Sequence, residues 1–155
     1  MIYRKAKIDD VEQIYQLIMD YANEGLMLAR PRQGIYAGIR EYIVGENSTG
    51  EVVAIGALRI LWSDLAEICS LAVREPYLKK GIGKKIVELL ENEAEDLRIP
   101  QIFALTYQQG FFLKCGFNSV EHSALPQKVW RDCIDCPKFP DCDEKAVLKN
   151  TSHNG

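Results

Sequence analysis

The stretch "EPYLKKGIGKKIVELLENEAEDL", Glu75 to Leu97, decides the fold. Its apolar residues Ile82, Ile86, Leu89, Leu90 and Leu97, with Ala94 among them, recur at the helical period, and acidic side chains fill the other face. The spacing predicts an amphipathic helix. Its first turn carries Gly81 and Gly83, although a glycine costs a helix about 1 kcal/mol relative to alanine. Bare backbone offsets that cost, because without Cβ atoms several N–H groups can converge on an anion at the positive end of the helix dipole. Lys79, Lys80, Lys84 and Lys85 add local positive charge. The turn reads as a phosphate cradle, with a purely structural turn as the alternative.

Working outward, "EVVAIGALRIL" and "AEICSLAV" read as two strands leading into this turn, joined through "WSD" as a hairpin with a longer loop, and Gly56 suggests a bulge. Upstream, "IYRKAKI" reads as a first strand. "DDVEQIYQLIMDYANEG" reads as a helix capped by Asp9 or Asp10, with Val11, Ile14, Leu17, Ile18 and Tyr21 on one face and Gly25 at its end. Pro31 breaks the next segment, and "IYAGIREYIV" predicts a short second helix before the polar turn "GENSTG". Downstream come a strand in "QIFALTY", a short helix in "QQGFFLKCG" ending at Gly116, a strand in "FNSVEH" and a last strand in "LPQKVW". This order predicts an α/β protein of the α+β type, with a mixed, mostly antiparallel sheet and one crossover helix. One domain is expected over residues 1–148, of which 131–148 form a cysteine-containing segment, followed by a disordered tail at 149–155.

Composition bounds the function. A chain of 155 residues with 47% hydrophobic and 26% charged residues suits one soluble globular domain. Its net charge of −3 supplies no global basic field, which argues against a nucleic-acid partner. No apolar run approaches the ~20 residues that cross a bilayer, and "MIYRKAKIDD" has no signal-peptide core, so a cytoplasmic protein without a membrane partner is expected. Five cysteines, an odd number, argue against a disulfide framework there. Cys69 and Cys115 read as small buried residues. Cys133, Cys136 and Cys142 are spaced C-x2-C-x5-C, and the first pair has zinc-knuckle spacing, with His122, Asp141 or Asp143 available as a fourth ligand. A structural zinc, a stapling disulfide and plain thiols all remain open.

The pair "AEICSLAV" and "LKKGIGKK" resembles the central strand and glycine-rich turn of the GNAT N-acetyltransferase superfamily. The resemblance implies the GNAT fold, with helices on both faces of the sheet, a splayed central strand, and acetyl-CoA held by its pyrophosphate. It implies cofactor contacts from Leu78, Lys79, Lys80, Gly81, Ile82, Gly83 and Lys84, and backbone groups of Leu71 and Val73 offered to the pantetheine arm. Leu78 stands where the superfamily turn usually begins with Arg or Gln. "FFLKCGF" resembles the aromatic helix that ends in Gly-Phe beside the cofactor thiol, and Phe112 occupies the position where many members carry a tyrosine acid. The branch that makes N-acetylglutamate also carries phenylalanine there. "EGLMLARPRQ" is similar to an arginine-bearing segment of that branch, with Arg30 and Arg32 in matching places. With "LAEICSLAV", "FALTY" and "LPQKVWRDCIDCPKFPDCDE", the likeness runs from Ile2 to about Leu148 and points to the short, free-standing N-acetylglutamate synthases of bacterial arginine biosynthesis.

Acetyl transfer to an amine requires a base, a positioned thioester and a donor for the carbonyl oxygen that gains charge. It requires no metal, so a zinc at the cysteines would be structural. Glu67 is the expected base, with an exposed strand-end charge as the alternative. Strict alternation puts Glu67, Cys69, Leu71 and Val73 on one face of its strand and Ala66, Ile68, Ser70 and Ala72 on the other. Arg30 and Arg32 are the expected acceptor clamp, since guanidinium groups grip carboxylates bidentately. The longer relatives add an arginine near the C-terminus, for which Lys138 is the candidate substitute. Tyr107 is the candidate acid for the CoA thiolate, with a core-edge tyrosine as the alternative. The expected reaction moves the acetyl group of acetyl-CoA to the α-amino group of L-glutamate, giving N-acetyl-L-glutamate and CoA; a homodimer is compatible with it. A different amino acid, a polyamine or a protein amine is the alternative acceptor, and a non-enzymatic acyl-CoA sensor is the alternative class.

Overall fold

Helix α1 (Val11–Ala22) buries Val11, Ile14, Leu17 and Ile18 along one face, the period read from the sequence, and half-buries Tyr21. The computed structural model describes residues 1–126, 129 and 144–151. Gly25, at φ +75°, takes the chain out of the helix through a left-handed turn, its amide donating to the Ala22 carbonyl at 2.9 Å. The cap differs from expectation. Asp10 stands at the start of α1, but its carboxylate turns back to accept the Lys7 amide (2.7 Å) and both arms of the Arg4 guanidinium (2.8 and 3.0 Å). It thereby closes the 3-10 turn Ile8–Asp10 and ties that turn to strand β1 (Ile2–Lys5).

The second helix starts earlier and ends sooner than expected. Helix α2 spans Arg32–Ala37, a 3-10 turn covers Ile39–Glu41, and Tyr42–Glu46 form strand β2. Tyr42, Ile43, Val44 and Gly45 are all buried, since β2 pairs antiparallel with β1 on one side and with β3 (Val52–Trp62) on the other. A β-branched run enclosed this way is stable as a strand whatever its helical period suggests. The intervening turn is organised by Asn47, whose Oδ1 accepts the Thr49 and Glu51 amides.

Strand β3 reaches Trp62 and β4 (Leu65–Val73) begins after only Ser63 and Asp64, so the connection is a tight turn and not a longer loop. On its β2 side Gly56 is not a bulge: it faces Ile43 in regular register, and the irregularity lies between Gly45 and Glu46. A Cβ on Gly56 would stand 2.5 Å from Cγ2 of Ile86, so this glycine lets helix α3 (Ile82–Asp96) approach the strand. Helix α3 buries Ile82, Ile86, Val87, Leu90 and Ala94; Leu97, expected on that stripe, lies past the helix end and is exposed.

The chain continues through β5 (Gln101–Thr106), α4 (Gln109–Lys114), β6 (Asn118–Val120) and β7 (Lys145–Asn150). The strands form a seven-stranded, mostly antiparallel mixed sheet in the order β1-β2-β3-β4-β5-β7-β6. By internal packing the chain divides into two compact units, Met1–Arg59 with Ile68–Glu93, and Ile60–Glu67 with Ala94–Gly155. In the first, α1, Ile35, Tyr42, Val44, Val52, Ile55, Ala57 and Ala72 share one core. In the second, Leu65, Phe103, Leu125, Val129 and Ala146 form another.

Within the second unit, Leu65–Glu67 pair parallel with Gln101–Phe103. The last strand is β7, paired with β5 along one edge and β6 along the other, and not "LPQKVW", whose described residues Leu125, Pro126 and Val129 are in no strand. Strand β7 includes Lys149 and Asn150, where the tail was expected to begin, and Thr151 is held by its amide on the Pro100 carbonyl and its hydroxyl on the Ile99 carbonyl. Cys133, Cys136, Cys142, Asp141, Asp143 and Lys138 lie outside the described residues.

Candidate active site

In the first unit the approach to α3 is a short backbone relay. A 3-10 turn over Glu75–Tyr77, entered through Pro76, is followed by Lys79 at φ +63° and Gly81 at φ +80°. The Leu78 amide, expected among the cradle donors, is already spent on the Glu75 carbonyl at 3.1 Å. Lys85 is the next residue whose amide makes a bond, to Gly81 at 3.0 Å; among the described residues the amides of 79–84 make no backbone hydrogen bond. These donors stand at the positive end of a fifteen-residue helix. Nothing lies within 4 Å of where a Cβ on Gly81 would be, so glycine is required there by its backbone angle and not by crowding. Lys79, Lys80 and Lys84 are exposed around the turn, and Lys80 Nζ sits 5.9 Å from the centre of the Tyr77 ring.

Strand β4 breaks its alternation just ahead of this turn. Ser70 has φ +54°, a left-handed conformation that a non-glycine residue holds in a strand at a cost of about 1–3 kcal/mol. The break changes which side chains share a face. Cys69 and Ala72 both pack against the α1 core, while Leu71 approaches the Gly56, Ile86 and Leu90 cluster. The expected row of Cys69, Leu71 and Val73 on one face is therefore corrected: the irregularity at Ser70 shifts the parity by one residue. The Val73 carbonyl accepts the Tyr21 hydroxyl, which fixes the end of β4 to α1. Burial, reinforced by Glu75, Glu24 and Asp20, holds the Tyr21 phenol above its usual range.

The two expected clamp arginines have different surroundings. Arg32 is exposed, donates to both carboxylate oxygens of Glu12 (3.1 and 2.8 Å) and stacks 4.0 Å above the Tyr15 ring. Arg30 is half-buried, and its Nη2 lies 3.6 Å from Cys69 Sγ. Tyr42, 1% exposed, stands in the same electrostatic neighbourhood: burial raises its phenol, Ser70 and Arg30 oppose that rise, and Cys69 and Glu41 add to it. By distance and angle the Tyr42 hydroxyl has no hydrogen-bond partner among the described residues, although the Ser70 side chain lies near enough to lower the phenol as a hydrogen-bonding group would. Neither Tyr42 nor Ser70 is a site candidate in the sequence, because a strand tyrosine and a strand serine carry no local signal.

The other candidates belong to the second unit. Glu67 is half-buried between Ala66 and Ile68, which are buried, and is in register with Phe103. Tyr107 is half-buried one residue past β5, where the next amide, Gln108, donates to Thr106 Oγ1 at 2.7 Å. Phe112 is 3% exposed and meets the rings of Phe111 and Phe117 edge-on, each at 5.2 Å. His122 Nε2 lies 2.6 Å from the Glu144 carbonyl oxygen, and no group of His, Cys, Asp and Glu among the described residues could hold a metal.

A family model described as Acetyltransferase (GNAT) family matches residues 9–117. The chain belongs to the GNAT acetyltransferase family. That span of GNAT sequence takes in α1, β4, the glycine turn and α4. A Chlorobaculum tepidum protein, named as an uncharacterized N-acetyltransferase, is 39% identical over 146 residues, 94% of each chain. An amino-acid acetyltransferase of Mycobacterium tuberculosis is 36% identical over 131 residues, 83% of this chain and 75% of that protein. A crystal structure of a Mycobacterium tuberculosis protein in complex with CoA matches at TM-score 0.83 and 31% identity, covering 97% of this GNAT chain and 99% of the other. No helix among the described residues is long and apolar enough to cross a membrane.

Proposed function

We propose that the protein acetylates the α-amino group of L-glutamate with acetyl-CoA, giving N-acetyl-L-glutamate and CoA, as in the first step of cytoplasmic arginine biosynthesis. Family membership supports acetyl transfer, and the M. tuberculosis relative's name supports an amino acid as acceptor. The observation that carries the acceptor's charge is the state of Arg30. Arg4, Arg32 and Arg74 each meet a carboxylate, whereas among the described residues half-buried Arg30 meets the Cys69 sulfur, a weak acceptor, and no carboxylate. A guanidinium held this way is ready for an anion. Arg32, engaged by Glu12 and Tyr15, serves instead to hold the start of α2 and the segment that carries Arg30.

In this mechanism the amides of 79–84 and the surrounding lysines hold the pyrophosphate of acetyl-CoA, and Phe112 is a cofactor contact. The Val73 carbonyl is engaged by Tyr21, so Val73 contributes through its amide, and Leu71 lends backbone to the pantetheine arm. Glu67 takes a proton from the ammonium of the acceptor, directly or through water. The freed nitrogen lone pair forms a C–N bond to the thioester carbonyl carbon, and the tetrahedral adduct collapses with cleavage of the C–S bond. The adduct's nitrogen gives up its second proton as the amide forms, and CoA leaves as the thiolate, which takes up that proton by way of Tyr107 or water. Loss of one carboxylate contact in a partly desolvated pocket costs about 2–4 kcal/mol, so Arg30→Ala should lose ~30- to 1,000-fold in kcat/KM for glutamate with the Michaelis constant for acetyl-CoA unchanged. An Arg30→Ala enzyme with wild-type efficiency on glutamate overturns the acceptor assignment.

A further inference from the structure

The Tyr42 hydroxyl has no part in the mechanism above. It is the one buried side-chain polar atom among the described residues without a hydrogen-bond partner. An unpaired buried hydroxyl carries a desolvation cost, and such groups persist where something other than stability retains them. Its surroundings say what that is. Ser70, beside it, holds a left-handed backbone, a second local cost in the same place, and Arg30 and Cys69 complete the neighbourhood. A strained strand residue, an unpaired phenol and a guanidinium resting on a thiol are three unfinished interactions, and one incoming carboxylate can complete the last two.

We infer that Tyr42 is a specificity-determining residue: when the acceptor binds, Arg30 exchanges the Cys69 sulfur for a carboxylate of the acceptor, and the Tyr42 hydroxyl donates to the same carboxylate. A neutral donor beside the guanidinium orients the anion without adding charge, so it discriminates carboxylate from amide more sharply than Arg30 alone. This inference rests on the amino-acid acceptor proposed above, but not on glutamate in particular, because every amino acid brings a carboxylate.

The test is steady-state kinetics and thermal melting of the wild type and Tyr42→Phe, with L-glutamate, L-glutamine and L-glutamate α-amide as acceptors. A hydrogen bond to a charged group corresponds to ~10- to 100-fold, so Tyr42→Phe should lose that much kcat/KM on glutamate, through KM, with acetyl-CoA kinetics unchanged. The loss should vanish for whichever amide lacks the gripped carboxylate, and the melting temperature should stay level or rise, since the hydroxyl had no partner. Wild-type kinetics in Tyr42→Phe, an equal loss on both amides, or a markedly lower melting temperature would each overturn the inference. If the wild type turns over a different amino acid, glutamate fails as the acceptor and the same comparison is made on that amino acid and its amides. If it acetylates only polyamines, both proposals fall.

Discussion

The hydroxyl of Tyr21 donates to the carbonyl of Val73, so the last turn of α1 and the last residue of β4 are fastened together directly ahead of the glycine turn. Tyr21→Phe removes one hydrogen bond and leaves a carbonyl to find another donor. The expected loss is about 1 kcal/mol, a fall in melting temperature of roughly 2–4 °C for a domain of this size, measurable by calorimetry. No change in melting would show that the contact does not hold the strand.

Gly56 tests how closely α3 is seated. Alanine there meets Ile86 at 2.5 Å, with Leu71 and Leu90 both at 3.2 Å, all in a packed interior. Gly56→Ala should destabilise the protein by about 1–3 kcal/mol through overpacking, and shortening the neighbour in Gly56→Ala/Ile86→Val should recover part of the loss. Strictly additive losses in urea melts would contradict the assignment of Gly56 as a close-approach residue.

Acid should weaken the protein through Asp10. Its carboxylate is held below the usual range chiefly by the Arg4 hydrogen bonds and secondly, among the favourable causes, by the Lys7 amide, with burial opposing them. A depressed folded pKa means that stability from this group is complete above the unfolded value near 3.9 and is lost as pH falls through the folded value. Asp10→Asn should cost about 2–3 kcal/mol at neutral pH, and less as the pH is lowered below about 4. A constant deficit from neutral pH down to the acid limb would remove Asp10 from the acid response.

The glycine turn and the proposed base have separable signatures. Gly81→Val can be accommodated sterically but not at φ +80°, so it should fold, with a modest loss of stability, and bind CoA weakly by calorimetry. Glu67→Gln should keep CoA affinity and lower turnover by ~10²-fold or more at neutral pH, with partial recovery in alkaline buffer. Unchanged CoA affinity in the first, or wild-type turnover in the second, would displace that residue from its role.

Much of this was legible in the sequence where local pattern and tertiary role coincide. The stripes of α1 and α3 and the glycine at the start of α3 follow from period and backbone freedom, and the structure realises them in Ile14, Ile18, Ile86, Leu90 and Gly81. What escaped was set by partners distant in the chain. "KAVLKN" has too few apolar residues to stand out, yet it becomes β7 because β5 and β6 pair with both of its edges. Arg32 is expected to meet the acceptor, and its ion pair with Glu12, twenty residues away, has no signal in the local pattern. The parity of β4 could not be counted, since one residue at positive φ, Ser70, moves every later side chain to the opposite face. Gly56 was read for its backbone when what mattered was the space above it.

The central claim is that this chain moves an acetyl group from acetyl-CoA to L-glutamate. The most direct measurement is release of the CoA thiol by the wild-type protein at saturating acetyl-CoA, with L-glutamate, L-aspartate, L-glutamine, L-lysine and spermine supplied in turn and the product identified by mass. Thiol release that depends on glutamate, matched by N-acetyl-L-glutamate and exceeding that with the other acceptors in kcat/KM, is the predicted result. A preference for lysine or spermine, or CoA binding without thiol release with any acceptor, would contradict it.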